Sequence, residues 1–436
     1  MFAMAVAEPL QQMLTTPSNV GEFVVNITNR FHFSRLISNF ISFLVLSVKI
    51  LTGLPGLLII ILFGIINNTI SAFFLLKIPA REVVDYHKGN NIFRMFLNVM
   101  KRKETRIVLI AKWVSLSVLI LIGFAVPFLS KVIKLPYNYI FLFTIVGSFS
   151  TVVVGILVKP FVDQIGSKSM IILSSFGVGI LGIIWAVLPE TTSVFIIFPL
   201  GFLNMFFLGM VLILIARLFL QSIPDNDRIT FASMANFFSA VVAIVTGLCG
   251  GYLIDVGETY QFEMINSYGL VFLGVFVLSV CNGIICCFLE EKGSLSVRET
   301  AQVLFSTRML RTYLDIYQFK HTSDPIKKKF ILLHIADSDG DLATSEMGKI
   351  LKNPLSNEKG EVIKSLFLHP RPSLLPEIIR EAKDPFSMHQ IFAIFALGGF
   401  EGEMVEYALT ELLDEPDIHV KSTAAKSLAR VGNTSE

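Results

Sequence analysis

Long apolar runs separated by short polar breaks occupy the first 290 residues, and after Glu290 the pattern changes to short amphipathic stripes. A bilayer core of about 30 Å is crossed by roughly 20 apolar residues of helix. Six runs meet that length: 107–131, 139–158, 169–188, 193–220, 231–254 and 267–289. Upstream, residues 36–77 form one apolar block broken by Gly53, Pro55, Gly56 and Gly64, which suits two short spans, so the pattern predicts eight. The opening MFAMAVAEPLQQML is apolar but too short to cross, and it lacks the basic start and small-residue cleavage site of a secretion signal.

Beyond Glu290 the stripes predict an amphipathic linker over 291–323, lying along the membrane surface and carrying the basic patch Arg308–Arg311. An internal period follows. Asp324-Pro325, Asn353-Pro354, Asp384-Pro385 and Glu415-Pro416 place proline at spacings of 29, 31 and 31 residues. Val362, Ala393 and Ala424 stand eight residues after a proline, and Leu366, Leu397 and Leu428 twelve after, which is helical i, i+4 spacing. Each proline can open a helix at a position whose N–H needs no partner, and periods of this size mean stacked helical units. The last unit, EPDIHVKSTAAKSLARVG, resembles a short HEAT-type repeat with Val420, Ala424, Ala425, Leu428 and Val431 as its packed face. Such a solenoid presents surfaces to a protein partner rather than a catalytic site.

Composition strengthens the membrane reading: 53% of the 436 residues are hydrophobic, 16% are charged and the mean hydropathy is +0.68, against about 25% charged in soluble domains. A net charge of +2 with no basic stripe argues against a nucleic-acid partner. Orientation follows from lysine and arginine in the connections. Residues 78–106 carry Arg81, Lys88, Arg94, Lys101, Arg102, Lys103 and Arg106 and are expected on the cytoplasmic side, which also places 159–168, 221–230 and everything after 290 there. The loop 255–266, with Asp255, Glu258 and Glu263 and no lysine or arginine, falls outside. Cys249, Cys281, Cys286 and Cys287 all lie in apolar runs and read as buried thiols.

Ionisable or amide groups at membrane depth are the candidates for chemistry. Lys49 falls near the middle of the first upstream span and favours an anionic substrate, while Lys112 and Arg217, near span ends, are expected to snorkel. Asn204 and Asn236 can bond a substrate, though hydrogen bonding between helices is their commoner role. No Asp or Glu lies deep in a predicted span. In the tail, DSDGD at 337–341 has the acidic density of a calcium loop, but Gly340 comes one position early and Gly348 replaces the bidentate Glu, so it reads as a turn between helices. His334, His369, His389 and His419 lack metal-ligand spacing, and no nucleophilic triad or phosphate loop is present. The expectation is therefore no enzyme activity, no cofactor and no metal.

The connection KPFVDQIGSK at 159–168 resembles the G-x-x-x-D-R-x-G-R-K motif of the major facilitator superfamily of secondary transporters. Lys159, Asp163, Gly166 and Lys168 fall on its positions, with Lys159, Gln164 and Ser167 as departures. The stretch QSIPDNDRITFASMANFFSAVVAIVTGLCGGYLID (221–255) is similar to that family's entry into its eleventh helix: Pro224, Asp225 and Arg228 form the turn, and Gly247, Gly250 and Gly251 admit a neighbouring helix. TGLPG at Thr52–Gly56 and TGLCG at Thr246–Gly250 are 246 − 52 = 194 residues apart, and each follows an Asn-Phe pair, as related halves would leave behind.

The resemblance implies an all-α polytopic bundle. Residues 1–77 close a first half, 78–106 connect the halves, 107–290 form a complete second half, 291–323 are the linker and 324–436 the HEAT-like domain. It also implies that about four helices, on the order of 100 residues, precede this chain in the family. The implied function is transport of a small solute across a cytoplasmic (inner) membrane by alternating access, with Lys159, Asp163, Gly166 and Lys168 gating; Lys49, Asn204 and Asn236, read from their depth, are the candidates for its path, and Lys49 would make the solute anionic. The implied partners are the lipid bilayer and a protein held by the cytoplasmic tail. The rival reading is a membrane-anchored scaffold whose transporter-like half no longer transports.

Overall fold

Inside hydrocarbon every backbone N–H and C=O must be satisfied within its own segment, so long apolar runs become helices. The computed structural model describes residues 8, 11, 12, 20–47, 54–75, 92–159, 161, 166–224, 228–260, 262–291, 296–322, 324–338, 341–353, 356 and 358–433. They form two compact units, Met1–Thr300 and Ala301–Glu436.

The first unit begins with α1 (Val20–Ser47), α2 (Leu54–Leu75) and α3 (Ile92–Met100). It continues through α4 (Lys103–Gly123), α5 (Ala125–Lys131), α6 (Tyr137–Val158), α7 (Ser167–Ala186), α8 (Val194–Ser222), α9 (Arg228–Tyr260) and α10 (Gly269–Cys287). Among the described residues six helices are long and apolar enough to cross a membrane, counting α4 and α5 as one, and they match the six long runs within a few residues. Upstream, α1 starts at Val20, well ahead of the predicted 36, and α2 holds a shorter apolar stretch, Leu58–Ile70. In α1 the polar Arg30, His32 and Arg35 interrupt the apolar run without interrupting the helix.

The bundle packs α10 on α7 and α4, α8 against α6, α7 and α4, and α1 along α6 and α8. Its interior polar groups pair across helices: Asn282 Nδ2 donates to the Ser115 and Ser175 hydroxyls at 3.1 Å each, and Asn39 Nδ2 to Ser148 Oγ at 3.0 Å. Helix α9 touches α4 where Gly250 faces Phe124, since a Cβ there would come within 2.5 Å of the ring. Gly247 and Gly251, expected to share that role, face nothing within 4 Å among the described residues. The thiols also depart from expectation: only Cys286 is buried, whereas Cys249, Cys281 and Cys287 are exposed. An apolar run does not say which face of its helix is turned outward.

The second unit is helical throughout its described residues. After α11 (Val297–Phe305) and α12 (Thr307–His321) come α13 (Pro325–Asp337), α14 (Asp341–Lys352) and α15 (Lys359–Leu368). Then follow α16 (Leu375–Ala382), α17 (Gln390–Leu397), α18 (Glu403–Glu411) and α19 (Ile418–Asn433). Helices α13, α15, α17 and α19 stack in one row, with α12, α14, α16 and α18 against it. The periodic positions Val362, Ala393, Ala424, Leu366 and Leu397 are all buried in one core, with Leu428 packed at its side. Ile316 and Phe319 of α12 join that core, so the second half of the predicted linker is part of the tail.

Two details of the repeat are corrected. Of the described repeat prolines, Pro325 alone sits in the first turn of a helix, where Asp324 Oδ1 accepts the Ile326 N–H at 3.0 Å; Pro385 lies in a turn five residues ahead of α17 and Pro416 two ahead of α19. Pro354 lies outside the described residues. In α19 Ala425 is exposed and Ser427 is buried in its place. Adjacent helical residues point about 100° apart, and the core takes the Val420, Ala424, Ser427, Val431 edge.

Candidate functional site

Two charge clusters stand out in the first unit, one half-buried and one buried. One borders a cavity of about 350 Å³ whose walls come from α1, α4, α8, α9 and the N-terminal residues Glu8 and Gln11. Lys112 and Asn236 each lie five residues beyond the start of their apolar runs, 107–131 and 231–254, about 7–8 Å along the helix at 1.5 Å per residue. They converge on one carboxylate. Glu8 Oε1 accepts from Lys112 Nζ at 3.2 Å and Glu8 Oε2 from Asn236 Nδ2 at 2.9 Å. The ammonium also stands 3.4 Å from the centroid of the Phe219 ring on α8, a cation–π contact strengthened by low polarity.

This geometry replaces two expectations. Lys112 does not reach out toward the span end: its ammonium is turned inward, onto Glu8 and the Phe219 ring. A carboxylate does reach the interior, from the N-terminal segment rather than from a span. The signal was the lone Glu8 in an otherwise apolar opening, which a rule based on span length passes over. Asn236 bonds that carboxylate rather than a neighbouring helix directly.

The second cluster lies where α7 begins and α8 and α10 end. Glu291 Oε2 accepts the backbone N–H groups of Ser167 and Lys168 at 2.7 and 2.9 Å, capping α7 at the positive end of its dipole. Its Oε1 accepts from Arg217 Nη1 at 2.7 Å, and Nη1 also donates to Ser167 Oγ at 2.7 Å. Arg217 is therefore buried and locked, not snorkelling. Gly166 immediately ahead has φ +87°, a left-handed conformation that favours glycine. These groups border a larger cavity of about 930 Å³, also lined by Arg102, Gln221 and Pro224.

Of the expected gating residues, Gly166 and Lys168 thus meet at this cluster, while Lys159 at the end of α6 pairs with Glu22 of α1 at 3.0 Å. Asp163, Asp225 and Lys49 lie outside the described residues. Arg228 opens α9. Asn204 is buried in α8 beside a void of about 10 Å³ near Phe143 and Trp185, and neither amide atom has a partner among the described residues, so the expected bond between helices is not made. That void has room for about one water. Arg217 and Glu291 were separable in sequence only as a basic residue near a span end and an acidic pair after the last span. No group of three His, Cys, Asp or Glu side chains suited to a metal occurs among the described residues.

Compared with known proteins, the model of the family described as Major Facilitator Superfamily matches residues 108–405. The match takes in all six long spans and continues into the second unit. No curated protein and no solved structure matches the chain.

Proposed function

The chain belongs to the Major Facilitator Superfamily, and on that premise we propose that it carries a small anionic solute across the membrane by alternating access. It is an integral multi-pass membrane protein, and its family suggests solute transport. The observation that carries the anionic reading is the Lys112 ammonium, inside its apolar run and on the wall of a 350 Å³ cavity bordered by three long helices and α1. An ionised group at that depth is costly and is kept where it serves a solute or an ion. Small-molecule cavities run from about 300 Å³ upward, so the space suits a compact solute. Lys112 takes the role first given to Lys49, and Asn236 stays on the path.

The Arg217–Glu291 cluster, with Gly166 and Lys168, acts in this reading as a cytoplasmic latch that ties the start of α7 to the ends of α8 and α10. Rocking of the bundle separates these ends, and the fixed positive φ at Gly166 sets where the chain turns. The reading includes α1 and α2 as two further spans, an inner-membrane location, a cytoplasmic tail built of HEAT-like repeats that holds a protein partner, and no covalent chemistry. The test is flux. The purified full chain in liposomes is expected to accumulate small organic anions over their uncharged isosteres, and Lys112→Met to lose that selectivity. Equal flux of both solutes, or none, sinks the proposal.

A further inference from the structure

We infer that the 350 Å³ cavity is a recognition site for a monocarboxylate with an apolar body, and that Glu8 occupies it as a competitor supplied by the chain itself. The inference rests on the reading of this cavity as the solute path and names both its substrate class and its regulation.

The Glu8 carboxylate is held as a solute would be, with one oxygen on an ammonium and the other on an amide, at 3.2 and 2.9 Å. The donors project from two different spans at matching depth. Among the described residues neither Lys112 Nζ nor Asn236 Nδ2 has a second hydrogen-bond acceptor. The rest of the lining is largely aliphatic, with Val24, Ile27, Leu116, Leu212 and Ile215; its other polar groups, Gln11, Thr28 and Ser239, are neutral, and it holds no second cation. A dicarboxylate would bring in a second anion with no cation to pair it, at a cost of several kcal/mol; a single carboxylate on an apolar body matches the Lys112–Asn236 pair and the aliphatic walls.

Glu291 shows what a permanent carboxylate clamp looks like in this protein. It is held by an arginine and two backbone N–H groups, and its side chain is 12% exposed. Glu8 has one ammonium and one amide, is 24% exposed, and faces open volume, so another carboxylate can displace it. The same N-terminal segment is moored a second time, where Gln12 Nε2 donates to the Ile223 carbonyl at 2.7 Å. Ile223 borders the larger cavity that contains Arg217 and Glu291.

Binding of benzoate and of its uncharged isostere benzamide to the purified full chain tests this, by calorimetry in detergent with thermal unfolding as a check on folding. Releasing a tethered competitor, whose effective concentration is of millimolar order, should tighten benzoate binding about tenfold or more in Glu8→Ala and in Glu8→Gln, with benzamide unchanged. Adding Lys112→Met to Glu8→Ala should abolish the preference for benzoate. Weaker benzoate binding in folded Glu8→Ala makes Glu8 part of the site rather than its competitor and overturns the inference. Equal binding of benzoate and benzamide, or no binding of benzoate to any variant, overturns it also. Because binding is read without transport, the expected pattern in a protein that shows no flux removes the transport reading alone. Anion flux with unaltered binding in Glu8→Ala removes the competitor alone.

Discussion

Each unit takes one lysine out of water and gives it a single carboxylate, and the two pairs are built for different ends. In the tail, Lys359 and Glu381 are 2.6 Å apart with both side chains 9% exposed, and Glu381 also accepts from the Ser387 hydroxyl. Nearby, Arg371 crosses from the turn before α16 to the end of α13, donating to the carbonyls of Ala336 at 3.0 Å and Ser338 at 2.8 Å and to the Thr344 hydroxyl. These contacts join consecutive helices of the stack and leave no room for exchange. In the membrane unit, Lys112 and Glu8 are 3.2 Å apart, 20% and 24% exposed, and beside open volume. The difference teaches that burial alone does not mark a working site; a charge pair that can change partners does.

The largest effect should come from removing the carboxylate on each side. Glu381→Ala strands a buried ammonium and should cost the tail about 3–5 kcal/mol, read as a lower unfolding midpoint and faster proteolysis within 301–436. Glu8→Ala should cost about 1 kcal/mol or less, because Lys112 keeps the Phe219 ring and the cavity accommodates water. Equal losses would erase the distinction between the pairs.

Shape offers a second, smaller contrast. A Cβ on Gly399 would come within 2.5 Å of the Phe367 carbonyl oxygen, a backbone atom that cannot step aside, whereas a Cβ on Gly250 meets the edge of the Phe124 ring at 2.5 Å. Gly399→Ala should cost about 2–3 kcal/mol and Gly250→Ala about 1 kcal/mol, within the range for overpacking. Thermal unfolding of each variant checks the order; a costlier Gly250→Ala would make α9 the more rigidly seated helix.

What the sequence disclosed follows the same division. The six long spans were legible because hydrocarbon thickness fixes run length, and the tail's core was legible at Val362, Ala393 and Ala424 because a helical stripe must bury one edge. The start of α1 was not, since a helix can carry Arg30 and Arg35 past the end of an apolar run. Nor was the proline rule, which holds at Pro325 and fails at Pro385 and Pro416, where turns intervene before the helix. The site was least legible. Lys112, Glu8 and Asn236 meet from positions 104 and 228 residues apart from Glu8, and no local pattern encodes such a meeting. Arg217 and Glu291, 74 residues apart, are hidden in the same way.

The smallest expected effect concerns pH and again separates a fixed contact from an exchangeable one. Glu358 in the tail accepts from Lys328 at 2.9 Å and from Ser356 at 2.9 Å. The Lys328 hydrogen bond, the largest influence, holds its carboxyl below the usual 4.5 although partial burial opposes it. A carboxyl lowered on folding contributes stability that is fully present above the unfolded value and is lost as pH falls through the folded value. The tail should therefore lose stability as pH drops from about 5 downward, with no change between pH 6 and 7 from this group. Glu358→Gln keeps the size of the side chain and removes the charge, so its unfolding midpoint should follow a shallower curve below pH 5 and meet the parent curve at the acid end. A variant curve parallel to that of the parent throughout would place the acid sensitivity elsewhere, first on Glu381, whose carboxyl is raised by burial but held lower overall by Lys359 and Ser387.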